Sequence, residues 1–321
     1  MKDSYGRTVD YMRISITDRC NLRCRYCMPE MPCFLPRKEL LSLEEILDIC
    51  VCGAQMGIRK IKITGGEPLL RPGCVELIRK LKEIPGMEKV TLTTNGVLLA
   101  PFAEALYQAG IDGVNVSLDT LNEETYRKIT GLDKLAQVLE GLDTMSRFPV
   151  PLKTNTVLLP WENGEDWKEL ALLAKNRRID VRFIEKMPLG KDKETEGVSN
   201  ILLLEEMQAS FGKAEPDGRS HGNGPAVYYR FPGFQVSVGF ISAIHDNFCA
   251  GCNRLRMTAE GKVKPCLCYE DNFSLKEAVR AGNREEIREL LRSAVEKKPQ
   301  RHCFAHTEQI TEQRDMWKIG G

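Results

Sequence analysis

Short β-rich runs at residues 12–17, 60–64, 89–94, 113–118, 152–158 and 180–184 alternate with amphipathic stretches. This alternation constrains the fold more than any other feature of the chain. Parallel neighbours need a crossover between them, usually a helix, and such crossovers are right-handed. Helix boundaries are marked. Ser42-Leu43-Glu44-Glu45 is a capping box ahead of Ile46, Leu47, Ile49 and Cys50, and Pro101-Phe102-Ala103-Glu104-Ala105-Leu106 opens a stretch that Gly110 ends. A parallel α/β sheet follows; periodicity leaves open whether it closes. Sites in such sheets lie at the carboxyl ends of the strands. Those ends carry Thr64-Gly65-Gly66-Glu67-Pro68, Thr93-Thr94-Asn95-Gly96 and Val116-Ser117-Leu118-Asp119. Each alone reads as a turn or a cap. Their recurrence at successive strand ends favours a site.

Directly after the first run, Cys20, Cys24 and Cys27 form a C-x3-C-x2-C loop. Three thiolates can hold three corners of a [4Fe-4S] cubane, and the fourth iron is then open to a ligand. Zinc with Cys33 as fourth ligand is the alternative on residue type. Further along, Cys249, Cys252, Cys266 and Cys268 form C-x2-C-x13-C-x-C. On spacing alone that set suits a zinc ribbon as well as an iron–sulfur cluster. Between the two cysteine regions, Tyr228-Tyr229-Arg230-Phe231 and Phe234-Gln235-Val236-Ser237-Val238 flank Pro232-Gly233 and predict a β-hairpin.

Composition narrows the classes. Forty-six basic residues face 45 acidic ones, for a net charge of +1, so neither nucleic acid nor a membrane surface is the expected partner. Residues 1–7 contain no apolar signal region, and no apolar run approaches the ~18 residues of a membrane span. Twelve cysteines in 321 residues without such a signal point to metal or redox chemistry in a reducing compartment, and a cytoplasmic location is expected.

Cys20-Asn21-Leu22-Arg23-Cys24-Arg25-Tyr26-Cys27, followed by Gly65-Gly66-Glu67-Pro68, resembles the signature of the radical S-adenosylmethionine (SAM) superfamily. Phe248-Cys249-Ala250-Gly251-Cys252-Asn253-Arg254-Leu255-Arg256 and the terminal Gly320-Gly321 narrow the resemblance to the GTP 3′,8-cyclase family of molybdenum-cofactor biosynthesis. So do Ser117-Leu118-Asp119-Thr120-Leu121, Ile129-Thr130-Gly131 and Arg182-Phe183-Ile184-Glu185-Lys186-Met187-Pro188. The matching segments run from Gly6-Arg7 to Gly321.

The resemblance implies an incomplete (β/α)6 TIM-type barrel over residues 1–215. A C-terminal extension over residues 216–321 would carry the hairpin, a second iron–sulfur cluster and the double-glycine tail. It implies a lyase with two [4Fe-4S] clusters and SAM, acting on GTP through a 5′-deoxyadenosyl radical. Cys20, Cys24 and Cys27 would hold the first cluster, and Cys249, Cys252 and Cys266 the second, whose open iron would meet guanine. Tyr26, Gly66, Ser117 and Met187 would line the SAM site. Arg13, Lys62, Thr93, Lys153, Arg182, Arg254, Leu255 and Arg256 would bind GTP, and Gly320 and Gly321 would enter the site. The implied partners are an external electron donor and the next enzyme, cyclic pyranopterin monophosphate synthase, with the chain a monomer or a homodimer.

Some features stand apart. Cys268 takes a position where the family pattern has an apolar residue; as a ligand it would close the open iron, and as a buried thiol it would not. Lys62 keeps a charge where the family often has the Arg fork. Cys50, Cys52 and Cys74 read as packing or surface thiols, Cys303 has no assigned partner, and His221 and His245 are expected to face solvent. Residues 192–199 read as a polar loop. Two other functions fit part of the pattern: a peptide-modifying radical SAM enzyme with an auxiliary cluster, and a non-catalytic iron–sulfur or zinc protein.

Overall fold

A computed structural model describes residues 1–190, 196–245, 248–270 and 273–320. Gly321 and residues 192–195 of the expected polar loop lie outside the described residues. The six expected strands form as β1 (Tyr11–Ser15), β2 (Lys60–Thr64), β3 (Lys89–Thr94), β4 (Val114–Ser117), β5 (Leu152–Val157) and β6 (Asp180–Ile184). Each pairs in parallel with the next. Helices α1 (Leu43–Gln55), α2 (Cys74–Lys82), α3 (Leu99–Gln108), α4 (Glu123–Thr130), α5 (Leu135–Met145) and α6 (Trp167–Asn176) lie in the crossovers. The capping box at α1 is present: Ser42 Oγ accepts from Glu45 N at 3.1 Å, and Ser42 N donates to Glu45 Oε2 at 2.6 Å.

The remaining elements are α7 (Asn200–Phe211), β7 (Glu215–Pro216), β8 (Val227–Arg230), β9 (Val238–Ile241), β10 (Arg254–Met257), β11 (Lys262–Lys264), β12 (Phe273–Ser274), α8 (Lys276–Arg280), α9 (Arg284–Glu296) and α10 (Met316–Ile319). They do not form a separate layer. β9 adds in parallel to β6, and β10 adds in parallel to β1, giving the order β12-β11-β10-β1-β2-β3-β4-β5-β6-β9-β8-β7. The ladder ends at β12 and β7, so among the described residues the sheet stays open. It is nevertheless curled, because Arg254 of β10 and Ile241 of β9, from opposite flanks, line one cavity. The expected hairpin forms between β8 and β9, but its second strand starts at Val238. Phe231 and Phe234 are buried against Phe211 instead of pairing, at ring distances of 6.2 and 5.2 Å.

Strand alternation divides the sheet into two faces. Met12, Ile14, Ile61, Ile63, Val90, Leu92, Val114 and Val116 are buried in one core with Ile46, Leu77, Leu106 and Leu142 of the helices. Parallel strands are usually apolar on both faces. Here Arg13, Lys62, Thr93, Asn115 and Lys153, on the other face, line the cavity.

A smaller core holds the C-terminal segment: Leu189, Ala243, Leu267, Cys268, Cys303, Phe304 and Ile319. Lys264 and Glu312 form an ion pair inside the protein, and Glu312 N donates to Cys268 O at 3.1 Å. Burial raises the Glu312 pKa, but hydrogen bonds from Arg314 and Lys264 outweigh it and hold the carboxyl at about 2. A folded value below the ordinary 4.5 means that this stabilisation is complete above about pH 4.5 and is lost as pH falls toward 2. Glu312→Gln removes the carboxylate from this buried pair and from Arg314. It should cost about 3–5 kcal/mol at pH 7 in urea unfolding of the apoprotein and remove that acid-limb dependence.

Candidate active site

The cysteine loop that follows β1 is fastened to the ends of β2 and β3. Gly66 N donates to Thr17 O and Glu67 N to Arg19 O, both at 2.7 Å. A Cβ on Gly66 would lie 2.4 Å from Arg19 O, so only glycine permits this approach. Glu67 is fully buried and accepts from Thr94 Oγ1 at 2.8 Å, Asn95 N at 2.7 Å and Leu69 N at 3.0 Å. Burial nevertheless raises its carboxyl to about 7. Tyr26 donates to Asp119 Oδ2 at 2.7 Å, tying the loop to the end of β4. Gly66, Asn95 and Asp119 thus all reach the loop, and Ser117 sits at the carboxyl end of β4.

The loop suits a cubane. Cys27 is pushed up to about 12 by burial and by the neighbouring Cys20, and Cys24 is raised for the same kinds of reason. Three such thiols ionise together only around a strong positive charge, which an iron core supplies. Cys20 Sγ accepts from Leu22 N at 3.4 Å and Asn95 Nδ2 at 3.6 Å, as a thiolate ligand would. No group of three His, Cys, Asp or Glu among the described residues is arranged for a single metal ion. A cubane spreads its thiolate contacts over separate irons.

The second cysteine set lies beside the first strand. Cys249 is in a 3-10 turn, Cys252 precedes β10, and Cys266 follows β11. Burial raises Cys252, but Arg254 and Lys298 outweigh it and hold the thiol at about 7. A hydrogen bond from Cys268 draws Cys266 down to about 6, whereas Cys268 itself is raised. Cys268 is completely buried in the small C-terminal core, and its sulfur also accepts from Cys303 N at 3.4 Å. The buried-thiol reading of Cys268 fits this geometry, and Cys303 is part of the same packing.

Within the curled sheet lies a cavity of about 390 Å³. Arg13, Lys62, Thr93, Lys153, Arg182 and Arg254 all line it. Register brings them together: Arg13 is level with Arg256 on one side and Lys62 on the other, Thr93 with Asn115, Asn115 with Lys153, and Asn155 with Arg182. Lys153 pairs with Asp180 at 3.0 Å. Among the described residues no carboxylate pairs with Lys62, Arg182, Arg254 or Arg256. Burial and the charges of Arg182, Arg13, Lys153 and Arg254 push Lys62 well below its ordinary value. Burial, with Arg13 and Arg254, lowers Arg256 to about 9. Arg182 Nε, Thr64 Oγ1 and Asn155 Oδ1 are buried without a hydrogen-bond partner. Crowded cations and orphaned polar atoms of this kind suit a polyanionic ligand.

Leu255 departs from its expected placement. Strand alternation turns its side chain into the hydrophobic core, fully buried, while Arg254 lines the cavity. Met187 packs on the small C-terminal core, just beyond β6. The tail reaches the barrel interior: Gly320 O lies 3.4 Å from both Arg13 Nη2 and Arg256 Nη1, beside Ser15 and Thr64. Trp317 is buried with its ring 5.6 Å from that of Phe34.

Sequence reasoning missed the floor of the cavity. His221, expected to face solvent, keeps its side chain only 9% exposed, with Nδ1 2.9 Å from Asp180 and Nε2 3.0 Å from Asp217. Its ring stacks on Tyr228 at 4.0 Å. His245 remains half-exposed, with Nδ1 2.8 Å from Glu185. Arg219, Ser220 and Asn223 line the cavity from the same loop as His221. The Gly-rich run 218–224 was the available signal.

Comparison with known proteins agrees with this architecture. The Radical SAM superfamily pattern matches residues 14–174, and Molybdenum Cofactor Synthesis C matches residues 179–304. GTP 3′,8-cyclase of Clostridium perfringens (strain SM101 / Type A) is 42% identical over 324 residues, covering 100% of both chains. The enzymes of the same name from Alkaliphilus oremlandii and Thermodesulfovibrio yellowstonii are each 43% identical, over 323 and 327 residues, again covering 100% of both chains. Among solved structures, Streptococcus suis SuiB bound to precursor peptide SuiA shares the fold, with a TM-score of 0.66 at 14% identity, covering 98% of this chain and 76% of that one. With full-length identity at this level and both patterns in order along one chain, the protein belongs to the GTP 3′,8-cyclase family of the radical SAM superfamily.

Proposed function

We propose that this chain is a lyase that converts GTP to (8S)-3′,8-cyclo-7,8-dihydroguanosine 5′-triphosphate, the first step of molybdopterin biosynthesis. Hydrogen is removed from C3′ and a bond forms between C3′ and C8. The observation that carries this reading is a cavity lined by cations from several strands, among them Lys62, Arg182 and Arg254, which have no carboxylate partner among the described residues. A peptide-modifying enzyme or a zinc carrier has no use for such a clamp.

In this reading Cys20, Cys24 and Cys27 hold one [4Fe-4S] cluster, and Gly66, Ser117, Met187 and the backbone at Tyr26 receive SAM. Cys249, Cys252 and Cys266 hold the other cluster, beside the guanine. When bound, the first cluster and SAM supply the carbon radical that takes the C3′ hydrogen. Everything else is positioning. Arg13, Lys62, Lys153, Arg182, Arg254 and Arg256 bind the triphosphate, the arginines as forks and the lysines as point charges. Thr93 adds a hydroxyl that Asn115 Nδ2 reaches at 3.4 Å. Fixing the nucleotide at base and phosphates brings C8 over C3′, an arrangement that a free nucleotide rarely holds. The Arg219–His221 loop lines the cavity, the C-terminal tail reaches Arg13 and Arg256, and together they would keep water from the reacting atoms. Residues 1–215 would serve the first cluster and SAM, and residues 216–321 the second cluster and the tail.

The conversion takes up two electrons and one proton, so an external electron donor is a partner. The product passes to cyclic pyranopterin monophosphate synthase. No helix among the described residues is long and apolar enough to cross a membrane. A cytoplasmic monomer or homodimer, without nucleic-acid or membrane partners, completes the reading.

Reconstituted protein given dithionite, SAM and GTP deuterated at C3′ should release 5′-deoxyadenosine carrying deuterium. Deoxyadenosine without the label would overturn C3′ as the reacting position. Lys62→Ala should raise KM for GTP roughly 10- to 100-fold, the equivalent of losing a charged hydrogen bond of about 1.5–3 kcal/mol, with iron content unchanged. Deleting Gly320 and Gly321 should leave both clusters assembled and suppress cyclisation, read as product per deoxyadenosine formed. Full turnover by the truncated chain would remove the tail from the mechanism.

A further inference from the structure

Lys298 is a buried cation that the reaction as derived does not use. It follows α9, is 3% exposed, and does not line the cavity. Its Nζ donates to Arg254 O at 2.8 Å and to Pro265 O at 2.6 Å. Arg254 is two residues beyond Cys252, and Pro265 immediately precedes Cys266. One ammonium therefore joins the two chain segments that carry these thiols. The segment that follows also meets Cys249: His302 N donates to Cys249 Sγ at 3.3 Å, and Arg7 bridges Cys249 O to the carbonyls of Pro299 and Gln300.

Among the described residues no carboxylate pairs with Lys298. Burying an ammonium opposite carbonyls alone is costly unless negative charge lies nearby. The three thiols supply that charge when they bind metal, and Lys298 is fixed at the carbonyls of Arg254 and Pro265, next to Cys252 and Cys266 along the chain. Arg254 and Arg256 cannot fill this role alone, because Arg254 lines the cavity and Arg256 reaches Gly320.

We propose that Lys298 is a positioning residue for the second cluster: it fastens the Cys252 and Cys266 segments together, and its charge raises the reduction potential of the cluster they hold. The inference rests on the reading that Cys249, Cys252 and Cys266 hold a [4Fe-4S] centre. Net charge and hydrogen bonding around the sulfurs are among the factors that set such potentials. An electron added to a site already carrying three thiolates is opposed by their charge, and a fixed ammonium offsets that opposition.

The test uses the full chain with Cys20, Cys24 and Cys27 replaced by Ser, so that only the second centre remains, reconstituted anaerobically. Iron and sulfide are counted, and the one-electron couple is followed by paramagnetic resonance during a mediated redox titration. Lys298→Gln keeps a donor without the charge, and Lys298→Arg keeps the charge. The Gln form should be harder to reduce by about tenfold in the equilibrium constant, about 59 mV more negative, with the Arg form near the parent. Loss of the cluster from Gln with retention in Arg also supports the charge. A Gln form that keeps its irons at the parent potential overturns the proposal, as does equal loss from both variants. A parent without four irons, or with zinc in their place, sinks the second-cluster reading itself and the role of Lys298 with it.

Discussion

Mutual repulsion among buried cations is the constraint on which the rest of the structure turns. Arg13, Lys62, Lys153, Arg182, Arg254 and Arg256 are held close by parallel strand register, and Asp180 pairs with Lys153. A fold that only needed stability would place apolar residues on that face, as the other face of the same strands does. The cost of confining these charges is met by the apolar outer face and its helices, and it disappears when a polyanion enters. The same electrostatics links substrate to cofactor. Arg254 lines the cavity and also lowers the Cys252 thiol, so one guanidinium lies between the cationic cavity and the second cysteine set.

The strand that makes this possible comes from the far end of the chain. β10 pairs with β1 although nearly the whole sequence separates them, and it brings Arg254 and Arg256 beside Arg13. Nothing covalent holds it there. Asp10 anchors the junction by accepting from Asn253 Nδ2 at 2.7 Å and from Lys60 at 2.8 Å. The Lys264–Glu312 pair and the bond from Glu312 N to Cys268 O then carry the C-terminal segment back toward the barrel, where Gly320 meets Arg13 and Arg256. The second cysteine set, the cluster of cations and the tail are thus one connected unit.

Much of this was legible from residues alone. Period-two alternation in Met12-Arg13-Ile14-Ser15 already separates a packing face from a polar face, and three of the six strands have the bounds expected. The capping box at Ser42 and the glycines at Gly65-Gly66 are local signals, and local signals survive folding. Leu255 was misplaced because adjacency to two arginines says nothing about which face a strand residue takes until the register is known. His221 was misread because its partners, Asp180 and Tyr228, come from separate strands, with Asp180 41 residues away in sequence.

The sequence by itself determined the order of strands and helices, the two cysteine sets and the family, because spacing, capping and turn chemistry act over a few residues. Only the tertiary structure decided which cations share a cavity, that Cys268 is completely buried in the small C-terminal core, and that Lys298 reaches the segments that carry Cys252 and Cys266. Each of these depends on burial and on charges brought together across long stretches of chain, and neither quantity exists until the sheet has curled and β10 has found β1.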